Sequence, residues 1–158
     1  MSHRVIDVRG KHHRPRHESA GRGMNGYKRM RRAILAQAHV LVYNDESGHS
    51  AHVASGLSRL GTRTVVVHTP LEAVVTLQNE SDPVHAAFIP LDSSNFDMAA
   101  FCAFLRDAHP RVRRVAFATG STRQNGTVLA CAPHCERVLW TPRDRGALED
   151  ALDALGPS

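Results

Sequence analysis

Between residues 39 and 140 the chain carries five short apolar runs, and helically spaced stretches lie between them. The runs are 39–43 (HVLVY), 64–68 (TVVVH), 86–89 (AAFI), 115–118 (VAFA) and 137–140 (RVLW). Continuous apolar, β-branched runs of this length are the mark of strands covered on both faces. Residues 52–60 place Val53, Gly56, Leu57 and Leu60 at helical spacing, and Gly61 follows as a stop. Pro70 opens a short helix carrying Leu71, Val74, Val75 and Leu77, with proline in its favoured first turn. Residues 98–108 form a helix with Phe101, Phe104 and Leu105 in one stripe. A short helix is expected near 128–132, and a closing helix over 143–155 carries Leu148, Ala151, Leu152 and Leu155.

Five β–α units in this order predict an α/β fold, a doubly wound five-stranded parallel sheet with helices on both faces. Ligand chemistry in such a sheet lies outside the carboxyl ends of the strands. The positions to inspect are therefore Asn44 and Asp45, His68 and Thr69, residues 90–92, Thr119 and Gly120, and Thr141 and Pro142.

Charge changes this picture at the N-terminus. Residues 1–32 hold ten Lys/Arg against Asp7 and Glu18, a net +8, whereas the remainder holds ten basic and thirteen acidic residues, a net −3. Residues 1–36 read as a basic, largely disordered tail with a short leading helix near 27–37, and residues 37–158 as the folded domain. The tail offers electrostatic attachment to nucleic acid or another polyanion. No apolar run approaches the roughly 20 residues of a membrane span. Three cysteines at irregular spacing fit a reducing cytoplasm better than a disulfide scaffold.

The strand ends carry a resemblance. Residues 39–155 resemble the receiver domain of two-component response regulators: Asn44-Asp45-Glu46 follow the first strand, Thr119 the fourth and Thr141-Pro142 the fifth, and residues 101–110 are similar to the family's third helix and following turn. The resemblance implies a receiver-like, flavodoxin-like fold and a signalling role. It also exposes departures. Residues 96–98 resemble the element after the family's phosphoacceptor aspartate, and counting back puts Pro90 at the acceptor position. The family's lysine corresponds to Thr141, one of its metal-binding acids to Asn44, and its switch aromatic to Val138. Phosphoryl transfer needs a nucleophile, a hard cation and a positive group on the transferring oxygens. Asn44, Asp45, Pro90, Asp92, Thr119 and Thr141 thus read as a degenerate phosphorylation pocket. No cofactor is expected; Asp45 is a weak candidate Mg²⁺ ligand.

The expectation is a non-catalytic signalling module that works by phosphorylation-independent protein–protein interaction, with a protein partner or a second copy of itself. By analogy with the family, the docking surface would include Val138, Trp140, Arg143 and Arg145. Two alternatives stand beside it: phosphorylation at the displaced acid Asp92, and a nucleic-acid-associated regulator working through the basic tail.

Weaker signals have plainer readings. Cys131 and Cys135 flank His134, with Cys102 elsewhere in the sequence, and read as core or helix-end cysteines rather than a metal site. His49 and His52 read as a solvated pair. His12, His13 and His17 offer incidental metal binding, and Gly120-Ser121-Thr122 a plain loop.

Overall fold

The structure, a computed structural model, describes residues 20–46, 48–91, 97–118 and 126–154. Its strands are β1 (His39–Tyr43), β2 (Arg63–Val67), β3 (Ala86–Pro90), β4 (Arg113–Phe117) and β5 (Arg137–Leu139). They form one parallel sheet in the order β2-β1-β3-β4-β5. The helices are α1 (Ala20–Gln37), α2 (His49–Arg59), α3 (Pro70–Leu77), α4 (Met98–Ala108), α5 (Gly126–Cys131) and α6 (Arg145–Asp153), with a 3₁₀ turn at Ala132–His134. No helix of the described residues is long and apolar enough to cross a membrane.

Strand alternation divides the core into two layers. Val40, Val42, Phe88, Val115 and Phe117 face one side, where Leu35 of α1, Val53 and Leu57 of α2, and Leu148 and Leu152 of α6 cover them. Leu41, Tyr43, Ala87, Ile89 and Ala116 face the other, under Ala73 of α3, Met98, Phe101 and Leu105 of α4, and Cys131 of α5. Phe88 and Phe117, at 0% and 1% exposure, are the largest fully buried side chains. Each contributes about 2–3 kcal/mol by leaving water.

Local chemistry sets the helix starts. Thr69 caps α3 by accepting the Glu72 N–H at 3.2 Å, while the Glu72 carboxylate accepts the His68 N–H at 2.7 Å. Asp97 caps α4 through the Ala100 N–H, and Asp144 caps α6 through the Gly146 N–H.

Four expectations need correction. β2 is an edge strand, so it is not covered on both faces: Val66 is 39% exposed. In α3 the buried residue is Ala73, while Leu71 and Val75 face outward, because the short helix meets the thin edge of the sheet. In α4, Phe104 leaves the buried stripe, which Met98 and Cys102 complete. The leading helix is longer than expected and starts at Ala20; of its residues 23–37 only Leu35 is buried. Leu155 lies outside the described residues.

Candidate functional site

The strand order reverses at β1, whose following helix leads outward to β2 while the chain later returns to β3 on its other side. The crevice at such a reversal is where open parallel sheets bind ligands. Asn44 and Asp45 stand on one side of it and Pro90 on the other.

The β1–α2 turn uses its own polar groups. The Asn44 N–H donates to the Val67 carbonyl at 2.8 Å, which extends the β1–β2 ladder. The Asn44 side-chain oxygen accepts the Glu46 N–H at 2.9 Å, and Glu46 takes a left-handed φ of 67°. Ser50, buried in the first turn of α2, donates its hydroxyl to Asp45 Oδ1 at 2.9 Å. Tyr43 ends β1 below them, and its hydroxyl is pushed above the ordinary phenol range by burial first, then by the charges of Glu72 and Asp45.

Pro90 ends β3 and is buried. The β1–β3 pairing stops at Val42 and Phe88, while β3–β4 continues to Pro90 and Phe117. Leu91 donates its N–H to the Phe117 carbonyl at 2.9 Å, so the Pro90 nitrogen faces β1, where the pairing has already ended. A proline, having no N–H, costs no ladder bond there. Beyond β5, Thr141 is exposed and its carbonyl accepts the Asp144 N–H at 2.9 Å, while Pro142 is buried. Val138 and Trp140 are half-buried against the α4 side of the core, whereas Arg143 and Arg145 are exposed. Asp92, Thr119 and Gly120-Ser121-Thr122 lie outside the described residues.

Among the described members of the pocket, Asp45 brings the only carboxylate, and one of its oxygens already accepts from Ser50. The Asn44 oxygen is likewise engaged. Mg²⁺ prefers several oxygen ligands, carboxylates among them, and the described members of the pocket bring one carboxylate. Among the described residues no three His, Cys, Asp or Glu side chains gather to hold a metal ion.

The structure assembles two clusters from residues that are apart in sequence. Cys102, set apart in sequence, meets Cys135 with sulfurs 3.8 Å apart, and Cys131 completes a group of three free thiols under α4. The Cys102 thiol is pushed far up, chiefly by hydrogen bonding to Cys131 and Cys135 and then by burial. The second cluster is cationic: Lys28, Arg29, Arg31 and Arg32 stand on α1 and share a groove with Arg59 and Arg145 of the folded body. Their spacing along one helix was the available signal, masked by the reading of that segment as tail. His49 and His52 also differ from a solvated pair. His52 is exposed, but His49 Nδ1 is enclosed and has no partner among the described residues. The histidines at 12, 13 and 17 lie outside them.

No family model and no curated protein matches the chain. Solved structures do. A response regulator signal receiver domain from Bermanella marisrubri aligns with a TM-score of 0.62 at 17% identity, over 75% of this chain and 98% of that one. A response regulator from Thermotoga maritima aligns with a TM-score of 0.61 at 12% identity, over 75% and 96%. A putative pilus assembly-related protein from Burkholderia pseudomallei aligns with a TM-score of 0.62 at 20% identity, over 77% and 90%. At these identities the likeness concerns architecture: the chain has the fold of response-regulator receiver domains.

Proposed function

We propose that this protein is a signalling module of receiver type that has lost phosphorylation and acts through contacts with a protein partner or a second copy. The observation that carries this reading is Pro90 as the buried last residue of β3, where a receiver domain presents its acceptor carboxylate. A pyrrolidine ring has no oxygen to attack phosphorus. Asn44 and Asp45 support the reading, since both side chains hold the β1–α2 turn. Thr141 supports it too, because a hydroxyl cannot ion-pair with a phosphoryl group. Losing a single such electrostatic donor costs about 10²–10³ in rate in other enzymes.

Exposed apolar side chains support a binding role. Leu71 and Val75 lie one turn apart on α3 and are 72% and 61% exposed, and Val66 on the edge strand β2 is 39% exposed. Arg143 and Arg145 add exposed charge beyond β5.

The test is an intact mass after incubation with Mg²⁺ and acetyl phosphate. The expected result is an unmodified chain. A Mg²⁺-dependent phosphoryl adduct that disappears in Asp92→Asn would overturn the reading and establish Asp92 as a displaced acceptor.

A further inference from the structure

The helical, cationic part of the N-terminal segment builds one wall of a groove of about 600 Å³ whose other walls are the end of α2 and the start of α6. Lys28, Arg29, Arg31, Arg32, Arg59 and Arg145 line it, with Glu149 as its one carboxylate. Glu149 is already engaged by Arg31 at 3.4 Å and Arg145 at 3.0 Å, and Arg31 also pairs with Asp153 at 2.9 Å. Lys28, Arg29, Arg32 and Arg59 have no carboxylate within ion-pair distance among the described residues.

Folding does not call for this arrangement. Lys28 and Arg32 are like charges four apart, which costs a helix about 0.2–0.5 kcal/mol. Arg145 is the first residue of α6, where the positive end of the helix dipole disfavours a cation. Three glycines, Gly21, Gly23 and Gly26, each weaken α1 by about 1 kcal/mol relative to alanine. A weak, exposed helix that gathers unneutralised charge is stabilised when an anion fills the groove.

The chemistry points to phosphodiesters. Five of the six cations are guanidinium groups, whose planar fork matches phosphate oxygens. Four of the six stand on α1 between residues 28 and 32 and face two more across the groove. A concave groove admits a strand and excludes a flat bilayer surface.

We propose that the α1–α2–α6 groove binds the phosphate backbone of single-stranded nucleic acid. This site is independent of the crevice at the strand ends and of the phosphorylation question. It also differs from attachment through an unstructured tail, because Arg59 and Arg145 belong to the folded body.

Fluorescence anisotropy with labelled dT20 and rU20 tests it on the full chain, between 50 and 200 mM salt. The expected result is salt-dependent binding that weakens at least tenfold in Arg59→Gln/Arg145→Gln, with a shallower salt slope and an unchanged circular dichroism spectrum. Arg143→Gln, an exposed cation outside the groove lining, should change affinity by less than threefold. Comparison of the two oligonucleotides separates DNA from RNA. The proposal is overturned if the double variant binds as the parent does, if Arg143→Gln weakens binding equally, or if neither oligonucleotide binds while phosphatidylglycerol vesicles do.

Discussion

Ser50 donates its hydroxyl to Asp45 Oδ1 at 2.9 Å, and it does so from a position only 1% exposed to solvent. The one carboxylate of the described strand-end pocket is therefore tied to the first turn of α2. Hydrogen bonds to charged groups contribute about 1.5–3 kcal/mol, so Ser50→Ala should lower stability by about 1–2 kcal/mol. In a double-mutant cycle with Asp45→Asn the effects should be less than additive. Simple additivity of the urea midpoints would show that the two side chains act separately.

Arg114 is the charged side chain most deeply committed to the core edge. It is 8% exposed, and its Nε donates to the His134 carbonyl at 2.6 Å and its Nη1 to the Val112 carbonyl at 3.1 Å. Its guanidinium also pairs with the Glu136 carboxylate, which in turn accepts the Arg114 backbone N–H. Removing one partner of a buried pair costs about 3–5 kcal/mol. Arg114→Ala should fall near the lower end of that range, because Glu136 is partly exposed. Arg114→Lys should recover little, since an ammonium cannot reach three acceptors in a fixed fork. Thermal or urea denaturation measures both.

The crossing of α2 and α6 depends on the absence of a side chain. A Cβ on Gly56 would lie 2.6 Å from Leu148 Cδ1, and Leu148 is itself 2% exposed within the core. Alanine normally favours a helix over glycine by about 1 kcal/mol. Overpacking costs about 1–3 kcal/mol, so Gly56→Ala should be neutral to destabilising here. Leu148→Ala opens a cavity, and the pair together should be less damaging than the sum of the two. An additive double variant would mean that Leu148 moves aside freely.

High pH should loosen the fold. Tyr43 is pushed above its ordinary value of 10.0 in the folded chain by burial first. Its proton is lost more readily from the unfolded chain, so the stabilisation is complete below that value and is lost as pH rises past it. The urea midpoint should decline above about pH 10. Tyr43→Phe should flatten that decline. An unchanged slope in the variant would remove Tyr43 as its source.

Thiol reactivity follows burial. Cys102 and Cys131 are buried and Cys135 is partly exposed. A disulfide-exchange reagent such as DTNB should modify Cys135 first in the native chain, and the other two only as the fold opens. Equal rates for all three would contradict the packing under α4.

Much of the architecture was written in the order of apolar runs. Five strands of three to five residues separated by helical spacing leave a parallel, helix-covered sheet as the economical way to bury them. His39–Tyr43 and Met98–Ala108 stand where the pattern puts them, because a β-branched run and a capped amphipathic stretch carry their own boundaries. Strand ends were legible for the same reason, which brought Asn44, Asp45 and Pro90 into view before their neighbours were known.

Tertiary structure decided the rest, since local pattern says which residues are apolar but not which partner each one meets. Only the sheet order makes β2 an edge and turns Val66, Leu71 and Val75 toward solvent. Only packing brings Cys102 to Cys135 across 33 residues, or Arg31 to Asp153 across 122. The N-terminal charge is the clearest case. Composition marks it as a polar tail, yet Leu35 is buried in the core and Arg31 is paired to α6, which sets the remaining cations opposite Arg59 and Arg145. A run of charge becomes a groove only when a second surface stands across from it, and that surface is supplied by residues distant in the chain.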